Sequence, residues 1–168
     1  MNIILYAPTY RENGSVFFFP DFDKGRSQKF IKEHNILFIV KLHPLEEAHT
    51  IKIFKKMENI ILLEDQMLQE RHLDIYDFFP CTDILVTNYS SVYFDFLLLD
   101  KPILFAVPDL EEYRKKRSFV LEPFEFWAPG PKVKNFKKFL EEIKKSIEPE
   151  LLFTREKNHK RSCKLLQG

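Results

Sequence analysis

The stretch that decides the fold is Asp83-Ile84-Leu85-Val86-Thr87-Asn88-Tyr89-Ser90-Ser91-Val92-Tyr93-Phe94-Asp95-Phe96. Its first part, 83–87, is an almost continuous apolar run of strand length, as expected of a strand buried on both faces of a parallel sheet. From Ser91 to Leu99 the chain has helical length and composition. Between them Thr87-Asn88-Tyr89-Ser90-Ser91 form a short polar turn. A strand that runs through such a turn directly into a helix is the repeating unit of an α/β sheet.

Outward from this unit the pattern repeats. Runs at 2–7, 36–42, 59–63 and 102–107 read as further strands, and 26–34, 45–57, 73–79, 109–117 and 135–147 as helices. The last of these carries apolar residues at Phe136, Phe139, Leu140, Ile143 and Ile147, the stripe of an amphipathic helix. The order βαβαβαβαβ predicts a single Rossmann-like, doubly wound parallel sheet of the α/β class. In such a sheet ligands bind beyond the carboxyl ends of the strands, so the residues following each strand are the functional candidates.

Composition narrows the class. The chain has 168 residues, 45% hydrophobic and 30% charged, the balance of a globular domain rather than a disordered one. Phenylalanine is abundant and glycine scarce, which predicts core bulk rather than a glycine-rich phosphate loop. Cys81 and Cys163 lie far apart, without the spacing of a zinc site or a disulfide framework. No apolar run approaches membrane-spanning length and no signal-peptide pattern opens the chain, so the expected location is cytoplasmic. From Lys132 onward there are 11 basic and 5 acidic residues, against 15 and 20 before it. This asymmetry predicts a basic segment that either is a solvated helix or faces an anionic membrane or polymer. Nucleic acid is not expected as a partner.

Three groups carry chemistry. Thr87, Asn88, Ser90 and Ser91 sit where a strand meets a helix start, where unpaired N–H groups and hydroxyls suit a phosphate. A plain N-cap by Ser90 or Ser91, worth about 1 kcal/mol, explains the same residues. Lys41-Leu42-His43-Pro44 delivers a histidine to a strand end just before a helix. That imidazole suits phosphate binding or proton transfer to a leaving phosphate, or is a surface histidine. His34, His49, His72 and His159 lack such placement and are read as structural. Arg11, Arg114, Lys115, Lys116 and Arg117 flank the first and fifth strand ends, where one of them can clamp an anion. The signatures of dinucleotide enzymes, P-loop NTPases and zincins are absent.

Taken in order, Ile4-Leu5-Tyr6-Ala7-Pro8-Thr9-Tyr10-Arg11, Lys41-Leu42-His43-Pro44, the stretch 83–96, Lys101-Pro102-Ile103-Leu104-Phe105, then Asp109, Tyr113, Arg117 and Ala128-Pro129-Gly130-Pro131 resemble the CDP-glycerol glycerophosphotransferase family. The resemblance implies a GT-B architecture of two Rossmann-like halves, with this chain as the C-terminal, donor-binding half. Residues 1–150 would be the CDP-donor domain and 151–168 its C-terminal helix or tail. It implies transfer of glycerol phosphate or ribitol phosphate from a CDP-activated donor to a teichoic acid or capsular polymer, without a required metal or cofactor. His43 is implied as the catalytic residue. Thr9, Arg11, Thr87, Asn88, Ser90, Ser91, Asp95, Asp109 and Arg117 are implied as donor-binding. The expected partners are the nucleotide-activated donor, a polymer or lipid-linked acceptor, an N-terminal half that is either missing from this chain or carried by a partner subunit, and the inner face of the membrane, and the chain alone is expected to be inactive. Two departures stand out: Asn88 where the family usually has aspartate, and Ser118 after Arg117 where it usually has glycine. The rival readings are a sugar transferase of similar architecture using a UDP- or CMP-sugar, and an inactive nucleotide-binding module.

Overall fold

A computed structural model describes residues 1–9, 19–42, 54, 57–116 and 121–148. The apolar runs form strands β1 (Asn2–Tyr6), β2 (Ile36–Val40), β3 (Ile60–Leu62), β4 (Ile84–Thr87) and β5 (Ile103–Ala106), joined by a short β6 (Lys132–Val133). They make one sheet in the order β3-β2-β1-β4-β5-β6, with every neighbouring pair parallel. The doubly wound parallel sheet expected from the sequence is present.

Continuous apolar strands arise because both faces are covered. Ile4 and Tyr6 of β1 and Ile84 and Val86 of β4 point into one core, with Ile31 of α1 (Lys24–Glu33) and Phe136, Phe139 and Ile143 of a C-terminal helix. Leu5 and Leu85, the alternate positions, enter the opposite core with Tyr93, Phe96, Phe105 and Phe124. The described phenylalanines mostly fill these two layers, as edge-to-face pairs such as Phe79–Phe96 and Phe105–Phe124 show.

The remaining helices are α2 (Asp65–Glu70), α3 (Val92–Phe96), α4 (Leu110–Lys116), α5 (Phe124–Trp127) and α6 (Phe136–Ile147). The stripe predicted for 135–147 is α6: Asn135 caps it by accepting the Lys138 N–H at 2.9 Å, and its Phe136, Phe139 and Ile143 are buried. The predicted helix 45–57 lies outside the described residues apart from Phe54 and Met57, as do 151–168.

The segment expected as one helix over 73–79 is different. Its chain forms α2 upstream, stopped where His72 takes a positive φ of 54°, and then one 3-10 turn, Ile75–Phe78. The cause is local. Asp74 accepts the Tyr76 N–H at 2.7 Å and Asp77 accepts the Asp74 N–H at 2.8 Å, a reciprocal cap that closes a single turn.

Strand β6 was not anticipated, because two residues carry no periodicity. It is placed by the turn before it. Phe105 N–H donates to Pro131 O at 2.8 Å, and Gly130 lies so close to β5 that a Cβ there would sit 1.9 Å from the Ile103 carbonyl oxygen. Gly130→Ala is therefore expected to force β6 off β5 and cost at least about 2 kcal/mol, the scale of overpacking against a fixed backbone. Chemical denaturation of the variant against the parent checks this.

Candidate functional site

The order β3-β2-β1-β4-β5-β6 reverses direction between β1 and β4, two strands that pair through Ile4–Ile84, Leu5–Leu85 and Tyr6–Val86. After β1 the chain goes on to α1 on one face of the sheet, and after β4 it enters α3 on the other. The two chain segments therefore leave for opposite faces, and the carboxyl ends of these strands are where the ligand crevice of an open α/β sheet is expected.

Its floor is built by side chains of the polar turn. Thr87 is fully buried, and its hydroxyl donates to Ala7 O at 2.7 Å, while Ala7 N–H donates to Val86 O at 2.9 Å. Asn88, 2% exposed, uses Oδ1 to accept two backbone N–H groups, from Thr9 at 2.7 Å and Tyr89 at 2.6 Å. One acceptor thus joins the loop after β1 to the loop after β4. Tyr89 links onward to the end of β5: its phenol donates to Asp109 Oδ1 at 2.9 Å, and its ring stacks on Tyr113 of α4 at 3.8 Å between centroids. Phe124 meets the Tyr89 ring edge-on at 5.5 Å.

The serines follow. Ser90 Oγ accepts the Val92 N–H over a long 3.4 Å. Ser91 occupies the N-cap position of α3, yet its side chain makes no capping bond and is exposed. The N-cap explanation of this turn therefore accounts for Ser91 poorly.

The structure brings Thr9, Thr87, Asn88, Ser90, Ser91 and Asp109 together around the crevice. It does not bring Asp95 there. One helical turn beyond Ser91, its carboxylate is turned sideways to accept the Tyr76 hydroxyl at 3.0 Å, and this bond raises the Tyr76 pKa above the usual phenol value. His43, Arg11 and Arg117 lie outside the described residues. Of the other cations considered, Arg114 is bound by both carboxylate oxygens of Glu125, at 2.8 and 3.1 Å, and Lys116 pairs with Glu112. The Arg114–Glu125 pair joins α4 to α5, and the Lys116–Glu112 pair lies within α4. His34 ends α1 and packs on Phe30 at 4.4 Å, consistent with a structural role.

Two contributors were not singled out from the sequence. Tyr89 reads in the sequence only as part of the polar turn, although its bond to Asp109 spans 20 positions and fixes the β4 and β5 loops to each other. Lys41, at the end of β2, is largely buried and pairs with Asp65 at the start of α2 at 2.8 Å. A lysine directly after a buried strand was the only signal for it. Among the described residues there is no group of three side chains suited to a metal ion, and no helix long and apolar enough to cross a membrane.

Comparison with known proteins places the chain among teichoic acid enzymes by similarity. The chain is 38% identical over 152 residues to a teichoic acid poly(glycerol phosphate) polymerase of Bacillus spizizenii, covering 86% of this chain and 36% of that protein. It is 32% identical over 139 residues to the teichoic acid ribitol-phosphate polymerase TarK of Staphylococcus aureus, covering 80% and 25%. It therefore spans about a third or less of the length of these relatives. The solved wall teichoic acid polymerase TagF superposes with a TM-score of 0.69 at 23% identity, over 96% of this chain and 37% of that one, a likeness of fold. An S. aureus MnaA–UDP co-structure superposes less closely, with a TM-score of 0.55 at 20% identity over 96% and 40%. The family model for CDP-glycerol:poly(glycerophosphate) glycerophosphotransferases matches residues 1–168, and the chain belongs to that family.

Proposed function

We propose that this chain supplies the donor-binding lobe of an enzyme that transfers glycerol phosphate or ribitol phosphate from a CDP-activated donor to a growing teichoic acid or capsular polymer. The observation that carries the proposal is the crevice at the β1/β4 reversal, lined by Thr9, Asn88, Ser90 and Ser91, in a chain of this family. The polymerase relatives, matched over a third or less of their length, support a second lobe that presents the acceptor.

In this reading the donor diphosphate lies across the carboxyl ends of β1 and β4. The acceptor hydroxyl attacks the β-phosphorus in line, its proton is taken up on the acceptor side, and CMP departs with the electron pair of the broken P–O bond. The lobe lowers the barrier by holding the diphosphate in attack geometry and by aiming hydrogen-bond donors at the oxygens that gain charge. His43, next in sequence after buried Leu42 just beyond the end of β2, is proposed to donate to the leaving phosphate, and Arg11 and Arg117 to balance its charge without a metal ion. The enzyme would work at the cytoplasmic face of the membrane, where a lipid-linked acceptor is anchored.

Calorimetry tests the donor assignment: CDP should bind the chain weakly and with the same affinity in the presence of a chelator. CDP-glycerol should bind more tightly than UDP-sugars. The absence of heat and of a thermal shift at millimolar CDP would contradict the assignment, and preference for a UDP-sugar would point to a sugar transferase. His43→Ala should weaken CDP binding by about 2 kcal/mol, the scale of a hydrogen bond to a charged group, and leave the melting temperature near that of the parent. His34→Ala is the control and should bind CDP normally. Equal behaviour of the two variants would return His43 to a structural role.

A further inference from the structure

We infer that Lys41 is a positioning residue: with Asp65 it forms a clamp on the peptide that leads from Leu42 into His43, and so sets the direction from which that histidine meets the donor. The inference rests on the reading of His43 as a donor to the leaving phosphate and adds to it the group that holds it in place.

The clamp is built at the carboxyl edge of the sheet. Lys41 follows Val40, the last residue of β2, and its own N–H still donates to Tyr6 O of β1 at 2.9 Å. On the other side Leu63 N–H donates to Val40 O at 2.8 Å. The backbone at 40–41 is therefore held by both neighbouring strands. Side chains alternate between the faces of a strand, and Val40 and Leu42 enter the core shared with α1 and α6. Lys41 emerges on the opposite face, where Ile39, Leu63 and Leu68 pack and where α2 presents Asp65, its first residue.

The ammonium makes two bonds there. It reaches Asp65 Oδ1 at 2.8 Å and turns back to donate to Leu42 O at 2.5 Å. The Leu42 carbonyl and the His43 nitrogen belong to one planar peptide unit, so holding the carbonyl in one direction orients the whole unit. Asp65 is a firm anchor for this, because buried Leu63 precedes α2 and buried Leu68 seats it on the sheet.

Stability does not explain the arrangement. The Lys41 side chain is 15% exposed, and at such a site the cost of taking a charge out of water offsets much of the attraction of its partner. An apolar side chain of similar length would fill the same space, but it would not hold the Leu42 carbonyl. Phosphate binding, the obvious role for a lysine at a strand end, fits less well, since the ammonium is directed at Asp65 and the Leu42 carbonyl.

A double-mutant cycle on the full chain tests the inference, with CDP as the ligand and with the parent, Lys41→Met, His43→Ala and the double variant. Lys41→Met should weaken CDP binding at least about fivefold when His43 is present and less than about twofold when it is alanine, because the lysine acts through the histidine. In parallel, the imidazole resonances of His43 should shift on adding CDP to the parent and shift less in Lys41→Met, while the Tyr89 amide responds alike in both. Equal losses in the two backgrounds, or unchanged binding by Lys41→Met, would overturn the inference. If Lys41→Met does not fold, Asp65→Asn, which removes the charge of the partner and keeps its size, is carried through the same cycle with the same criterion. Parent-like binding by His43→Ala would overturn the role of His43 and the clamp with it, and no binding of CDP by the parent would overturn the donor site itself.

Discussion

A single carbonyl oxygen, Asn88 Oδ1, holds together the two loops that the winding of the sheet drives apart. β1 and β4 are neighbours, but their following segments leave for opposite faces, and the backbone pairing ends at the Ala7 N–H to Val86 O bond. Asn88 spans that divergence by taking an N–H from each side. Both bonds are part-buried and their shared acceptor belongs to a residue only 2% exposed, so losing them would leave two backbone donors poorly satisfied. The two loops are therefore tied to each other at Thr9 and Tyr89.

The rest of the molecule keeps that contact in register. Thr87 fixes the end of β4 against Ala7, and Tyr89 passes the constraint to β5 through Asp109 and to α4 through its stack on Tyr113. Behind them the sheet is rigid because both faces are packed. Tyr93, for example, is buried against Phe105, and that burial pushes its phenol pKa up to about 12. Beyond β5 the sheet gains its last strand only because Gly130 lets the chain approach the Ile103 carbonyl. A binding site on loops, held by a close-packed parallel sheet, is the usual division of labour in α/β proteins.

Much of this was legible in the sequence, for a physical reason. Strands such as Ile84–Thr87 and Ile103–Ala106 are buried on both faces and so spell continuous apolar runs, which needs no tertiary information to recognise. The polar turn at 87–91 was legible by position. What was not legible depends on contacts distant along the chain or on competition between local bonds. Asp74 and Asp77 close one 3-10 turn where composition alone suggested a longer helix. Asp95 belongs to the recognised motif, yet its carboxylate is satisfied by Tyr76, 19 positions earlier, outside the crevice. Asn88 stood out as a departure from the family, but its work as a double acceptor appears only when Thr9 is brought beside it. His43, Arg11 and Arg117 retain the roles expected from sequence as proposals.

The central claim is that the β1/β4 reversal is where the nucleotide donor binds. Hydrogen–deuterium exchange of the chain with and without saturating CDP tests it most directly. The account predicts slowed exchange at residues 7–9 and 87–91, with the opposite edge of the sheet around Asn35 and Asp100 unchanged. Protection confined to that opposite edge, or to the outer faces of α1 and α6, would contradict it.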